Sequence, residues 1–407
     1  MKLISYVILL VFLSLQISNA CTTAVISGKY TKDGRPMLWK HRDTWAINNK
    51  IMTFNDGKYR YMALVNSKDK SGKSIWIGYN SAGFAIMNSA SYNLNNDTIK
   101  QTGLEGRLMK EALKNCVTVD DFEAMLKAMD NPSRLEANFG VIDAKGGAAY
   151  FELANFKYVK YDATDPLVAP YGYIIRTNHS MSGELGKGGG YIRYVTTDNE
   201  FLMAIKENRM TPKTIIQNCT RNMTNSLTKV DLNDYDNIPS DHPTYVSFTD
   251  FVPRSGTSSS VVIEGVKRGE STKNVVMWTV LGWPLASICI PLWLDVDLPK
   301  IVQYDDEIKD SPLCNMALQA KNLAFSYKWG YSSKYYINVN ALLNADNKGL
   351  IQLITPFENM IFTEARSMID KWDDNPDAND IKKFYEWIDE KVPYFYYFNW
   401  GIIAGKK

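Results

Sequence analysis

Cys21 stands directly behind an apolar leader, and its position governs how the rest of the chain can be read. Met1 and Lys2 give a short charged start, and Leu3 to Leu15 run apolar with few interruptions. Ser18-Asn19-Ala20 then puts small residues at the two positions a signal peptidase inspects. The run is too short for a membrane span and lacks the flanks of one. Residues 1–20 therefore read as a bacterial-type signal peptide, and the protein as exported, to a periplasm or beyond the cell. Cleavage after Ala20 leaves Cys21 as the first residue, with a thiol and a free α-amine on one carbon.

That pairing has a chemistry of its own. A free chain-start amine has an unperturbed pKa of about 7.7–8.0, so it works as a base near neutral pH. Beside its own thiol it can take the thiol proton and later return it to a leaving amine, with no histidine required. Two other readings fit the leader. Cys21 could carry lipid on a surface lipoprotein, although Ser18 stands where a lipidation site prefers a bulky aliphatic residue. It could also be a disulfide half or a buried thiol. The stretch Cys-Thr-Thr-Ala-Val-Ile-Ser that follows favours the nucleophile.

Length and composition exclude several classes. The chain of 407 residues carries 46 basic and 44 acidic side chains, a net charge of +2, which argues against a nucleic-acid or polybasic membrane partner. The 45% hydrophobic content supports a full core, and 24 tyrosines and 10 tryptophans favour β-structure and sites that grip apolar groups. Cys116, Cys219, Cys289 and Cys314 are far apart and in no metal-ligand spacing; an exported protein could pair them, but a chain this large needs no such staples, and most of them read as buried thiols. His41, His179 and His242 form no HExxH-like cluster, and no metal or cofactor is expected.

The first half reads as strands: Thr22–Ser27, then a turn at Lys32–Arg35, Pro36–His41, Tyr61–Val65, Ser74–Tyr79 and Phe84–Asn88. The first hairpin returns the chain so that Asp43 comes near Cys21. A helix is predicted over Leu108–Asn115, and a second is capped by Thr118 with Asp121 and carries Phe122, Met125, Leu126 and Met129 on one face. Asn138–Asp143 and Ala148–Leu153 read as a hairpin about Gly146-Gly147, and Tyr173–Thr177 as a strand ending at Asn178. Residues 183–190 hold five glycines and read as a mobile loop; no GxxxxGK[ST] pattern supports phosphate binding there. Thr197–Lys206 and Thr211–Cys219 read as helices, and Val261–Glu264 and Asn274–Leu281 as strands. Thr355-Pro356-Phe357-Glu358 has the form of a helix start, followed by an apolar face of Phe357, Met360, Ile361, Met368, Ile369 and Trp372. A last helix is predicted from Asp380 to Lys391.

Five patterns in order resemble the choloylglycine hydrolase, penicillin V acylase and acyl-CoA:6-aminopenicillanate acyltransferase superfamily, linear-amide hydrolases of the N-terminal-nucleophile (Ntn) class. They are Cys21-Thr22 leading a strand, Lys40-His41-Arg42-Asp43 closing the first hairpin, Gly83-Phe84-Ala85-Ile86-Met87-Asn88, Thr177-Asn178-His179, and Tyr191-Ile192-Arg193-Tyr194. The match spans residues 21–291. It implies an α+β fold, a four-layer αββα sandwich of two stacked antiparallel sheets, here over residues 21–299. A mainly helical region, 300–407, packs on it.

The resemblance also implies roles. Cys21 is the nucleophile. Asp43 orients its amine, Asn88 donates to the oxyanion, and Asn178 bonds the amine or the substrate amide. Arg193 supplies charge and braces Asp43. Each has a plainer reading, as turn residues for the three polar groups and a solvated surface arginine for the fourth. Lys40 stands where the family commonly has arginine; it serves as a point charge or Arg42 takes the role, since strand alternation puts both on one face. A Cys-His protease using His179 or His242 is the rival enzyme, and a ligand-binding lipoprotein the rival outside enzymes. The implied partner is a small-molecule N-acyl amide, such as a conjugated bile salt, an N-acyl amino acid or a penicillin-like amide. Nucleic acid and a membrane span are not implied, and a homo-oligomer is left open.

Overall fold

The computed structural model describes residues 20–327, 334–372 and 375–406; the proposed leader, Ala20 apart, lies outside them. The first half runs β1 (Cys21–Ile26), β2 (Met37–Asp43), β3 (Asn49–Phe54), β4 (Tyr61–Asn66), β5 (Ile77–Asn80), β6 (Ala85–Ala90), α1 (Glu105–Asn115), α2 (Val119–Lys127), β7 (Ala137–Ile142), β8 (Ala148–Leu153), β9 (Tyr158–Asp162) and β10 (Tyr173–Arg176). Next come α3 (Tyr191–Lys206), α4 (Pro212–Thr214), β11 (Tyr245–Ser247), β12 (Thr257–Glu264), β13 (Val276–Leu281), β14 (Ile290–Leu292), α5 (Pro312–Ala324), β15 (Tyr336–Asn338), α6 (Leu350–Lys371) and α7 (Ala378–Trp400).

Two antiparallel sheets dominate. One has the order β10-β1-β2-β12-β13-β14 and the other β3-β4-β5-β6-β7-β8-β9, with β11-β15 a small separate ribbon. Period-two alternation explains why the strands read as nearly continuous apolar runs. In β4, Met62 and Leu64 enter the core between the sheets, while Tyr61, Ala63 and Val65 enter a second core. That second core is capped by Met109, Leu113, Phe122 and Leu126 of α1 and α2. The sheets come together closely at Gly140, where a Cβ would collide with Met87, Val25 and Leu38. On the far side of the six-stranded sheet, Trp39 packs on Phe201 of α3, and Trp278 stacks on Phe362 of α6 at 4.7 Å. The result is a four-layer αββα sandwich with C-terminal helices, the architecture the resemblance implied.

Local expectations fared unevenly. The Thr118 capping box and the β7–β8 hairpin are present as read. The strands β3 and β9 were not foreseen, and α3 begins at Tyr191, six residues ahead of the predicted Thr197. The helix start at Thr355-Pro356 is a correction. The helix begins at Leu350 and carries Pro356 inside it. Leu350 and Ile354 are buried, and the Gln352 side chain accepts from Gly349 N and Asn344 N, so packing and a different cap set the start one and a half turns earlier. Glu358 accordingly closes no cap; it is fully buried against Arg221. Met360, expected on the apolar face, is 53% exposed. All five cysteines are unpaired and buried, and burial pushes the Cys116 thiol up to about 12.

Candidate active site

The site lies at one end of the inter-sheet space and follows from strand register. Cys21 pairs with Arg42 and Thr23 with Lys40 across β1 and β2. Directly opposed residues project to one side of a sheet. Leu38 meets Gly140 of β7, so the side shared by Leu38, Lys40 and Arg42 faces the seven-stranded sheet. Thr23 makes that crossing too, its hydroxyl 2.5 Å from the Tyr150 hydroxyl on β8. Cys21 therefore opens β1 with its thiol between the sheets, 6% exposed.

Three elements converge on Cys21. Asn178, just past β10, accepts at Oδ1 from Cys21 N (3.2 Å) and from Arg193 Nη2 (2.9 Å), and donates from Nδ2 to Ala90 O (3.0 Å). Arg193, in the first turn of α3, also donates from Nη1 to Cys21 O (2.8 Å) and Thr22 Oγ1 (2.7 Å). Burial lowers its pKa, and Asp43 offsets part of that. The early start of α3 aims this guanidinium. Its N-cap is Gly190, which bridges from the glycine-rich loop, and Gly189 exchanges two backbone hydrogen bonds with Asn178. The loop read as mobile is thus pinned at that point.

The third group, Lys40, comes from the neighbouring strand β2 and reaches across to Asn88 on β6 of the facing sheet. Lys40 is fully buried and donates from Nζ to the backbone oxygen of Asn88 and to Asn88 Oδ1 (3.0 Å). The Cys21 side chain also acts on this ammonium and favours its proton. Burial lowers the Lys40 pKa to about 8, against the pull of Cys21 and Asp43. Arg42 goes elsewhere: Nη1 donates to Asn49 Oδ1 (2.6 Å), and the guanidinium lies 4.3 Å over the Trp76 ring. Of the two cations left open by the sequence, Lys40 is the one joined to Asn88.

Asp43 sits at the end of β2, on the opposite face with His41. Its Oδ1 accepts from Thr257 Oγ1 (2.6 Å), its Oδ2 lies 3.8 Å from Arg254 Nη1, and its N–H donates to Ala20 O (2.7 Å). Cys21 N is a peptide nitrogen in the full chain, and Asn178 rather than Asp43 is its side-chain acceptor. Among the described residues no hydrogen bond joins Arg193 to Asp43. Arg193 spends its donors on Cys21, Thr22 and Asn178 and feels Asp43 only through space, because its guanidinium is turned toward the β1 end.

The histidines stand apart from the sulfur. His179 Nδ1 is held by Thr177 Oγ1 (3.0 Å) and Gly189 O (3.2 Å), and its ring stacks on Tyr191 at 4.1 Å. His242 is exposed beside Asp241. His41 is fully buried, and burial lowers its pKa to about 4. Sequence reasoning missed Thr22 as a ligand of Arg193, Thr257 and Arg254 as companions of Asp43, and Glu105, whose carboxyl pKa is raised by burial, an effect partly offset by the charge of Lys40. Thr22 had a signal in the Cys-Thr pair; the others come from distant segments and carried none. Among the described residues no cluster could hold a metal ion, and no helix is long and apolar enough to cross a membrane.

No protein-family model matches the sequence, and no curated protein does. Among solved structures, the chain is similar to a conjugated bile acid hydrolase from Clostridium perfringens, at 12% identity and a TM-score of 0.41, covering 68% of this chain and 92% of that one. It is also similar to a Caenorhabditis elegans ortholog of N-acylethanolamine-hydrolyzing acid amidase, at 13% identity and a TM-score of 0.41, covering 60% and 92%. A penicillin V acylase from Agrobacterium tumefaciens aligns at 13% identity and a TM-score of 0.35, covering 68% and 86%. With each of them, the likeness is one of fold.

Proposed function

We propose that this protein is an exported thiol amidase that cleaves a linear, non-peptide amide through an S-acyl intermediate on Cys21. One observation carries the reading. The main-chain nitrogen and oxygen of Cys21 are both gripped, by Asn178 and Arg193, while Lys40, joined to Asn88 of the facing sheet, interacts with its side chain. Holding a strand-end cysteine by its own backbone is what a nucleophile with a built-in base requires; an ordinary core thiol needs none of it.

Release of residues 1–20 turns the Cys21 nitrogen into an amine facing Asn178 Oδ1. The amine accepts the thiol proton as sulfur bonds to the amide carbon. The tetrahedral oxyanion takes a hydrogen bond from the Asn88 amide. The C–N bond then breaks, the proton passes to the departing amine, and water hydrolyses the thioester to a free acid; an acceptor amine in place of water gives acyl transfer. N-acyl amino acids, conjugated bile salts and penicillin-like amides are the substrate candidates. Asp43 supports the amine through the charge balance at the strand end.

The test is a panel of such amides with mass spectrometry of the intact protein. An acyl adduct on residue 21, lost in Cys21→Ala, is the expected result. Full turnover in Cys21→Ala would end the proposal, and a diacylglyceryl increment on Cys21 would favour a tethered lipoprotein instead.

A further inference from the structure

We infer that Lys40 is a positioning residue that sets which end of the Asn88 amide faces the substrate, and that it does so only while protonated. The inference rests on the amidase reading of the site. It starts from a property of the amide group: its oxygen and nitrogen ends are nearly the same size, so only hydrogen-bond partners distinguish the two orientations. Lys40 Nζ meets Asn88 at both the backbone oxygen and Oδ1. An ammonium has three N–H donors and no lone pair, so it can only donate and requires an oxygen opposite it. Protonated Lys40 therefore locks Oδ1 inward and leaves the NH₂ to point at the reacting carbonyl. Neutral Lys40 gains a lone pair. It can accept from Nδ2, the amide can turn over, and Oδ1 then faces the oxyanion with the wrong charge.

Four charged or titratable side chains act on Lys40, and the α-amine that leader release creates on Cys21 is a fifth group. Cys21 and Asp43 favour its proton, and Arg42, one step along the same strand face, opposes it. Glu105 at the start of α1 feels the Lys40 charge through space. Burial outweighs them, and the proton is held only to about pH 8. An arginine at this position keeps its charge throughout the working range. Lysine makes the same contact into a latch that alkali opens.

The experiment compares wild type, Lys40→Arg and Lys40→Met on the p-nitroanilide of hexanoic acid between roughly pH 6 and 10. Wild-type kcat should fall about tenfold per pH unit above pH 8, whereas Lys40→Arg, whatever its plateau, should hold it beyond about pH 9.5. Lys40→Met should lose on the order of 10²–10³ in kcat at pH 7, with KM within about threefold, the loss expected when an oxyanion donor is misdirected. A Lys40→Arg profile that falls where wild type falls overturns the inference, as does an undiminished kcat in Lys40→Met. A second readout needs no substrate. The side-chain amide resonances of Asn88, assigned through Asn88→Asp, should shift near pH 8 in wild type and stay flat in Lys40→Arg; a flat wild-type trace also overturns it. Failure of wild type to hydrolyse the probe through Cys21 counts against the amidase reading, while the resonances still report on the latch.

Discussion

Asn178 is where the site closes on itself, because one oxygen accepts from both Cys21 N and Arg193 Nη2. Asn178→Ala removes the shared acceptor and leaves a buried guanidinium one partner short. The expected result is a loss of about 10²-fold in kcat and ~1–3 kcal/mol of stability, read by single-turnover kinetics and urea unfolding. Asn178→Asp, similar in size and negatively charged, should retain the fold; a kcat equal to wild type in Asn178→Ala would remove Asn178 from the machinery. His41 gives a pH prediction. Its folded pKa is depressed to about 4 from 6.5, so the unfolded chain binds the proton first as pH falls. Stability should therefore drop between about pH 6.5 and 4, by up to ~3 kcal/mol, and level off below. His41→Gln should flatten that part of the profile in a melting series; an unchanged slope would mean other groups carry the acid sensitivity. The sequence made the facing of these residues legible, since alternation alone puts Lys40 and Arg42 on one side. It could not choose between them, because Asn88, Asn49 and Trp76 decide it from other strands.

At the scale of elements, α3 depends on a glycine. Gly190 is its N-cap at φ +82°, and a Cβ there would press on Arg193 Nη2 and Thr177. Gly190→Ala should cost roughly 1–2 kcal/mol in backbone strain and displace the guanidinium from Asn178. It should lower kcat more than melting temperature. An unaffected kcat would show that α3 tolerates a shifted start. The six-residue error in the predicted start of α3 has a related origin. Its first turns carry Arg193, Thr196 and Thr197 buried, with no leading apolar stripe for periodicity to find. Likewise, Thr355-Pro356 imitated a cap because a cap signature is local, whereas Leu350, Ile354 and Gln352 fix the actual start through tertiary contacts. Strands with alternating cores and a self-contained capping box were the elements read well, since their evidence lies within a few neighbouring residues.

For the molecule as a whole, the open matter was what the last hundred residues do, and the buried pair Arg221–Glu358 bears on it. Arg221 donates from Nη1 to Glu358 Oε2 (2.8 Å) and from Nη2 to Oε1 (2.7 Å), and Cys289 N also donates to Oε1 (2.8 Å). One partner follows α4, one lies in α6, and the third leads into β14, so the contact rivets the C-terminal helices to the six-stranded sheet. Tyr385 and Tyr396 of α7 add hydrogen bonds to Trp293 N and Ala286 O. Glu358→Ala leaves a buried cation without its counter-charge, a change of about 3–5 kcal/mol, whereas joint replacement by Arg221→Met and Glu358→Leu removes both charges and should recover most of that loss. Because the apolar core runs unbroken from the sheets into α5, α6 and α7, the loss should move one shared transition. Tryptophan fluorescence and far-ultraviolet dichroism should therefore give the same midpoint in urea for Glu358→Ala. An early helical transition, with the sheets melting later at the wild-type midpoint, would mean that the C-terminal helices are a separate folding unit and that the pair couples nothing.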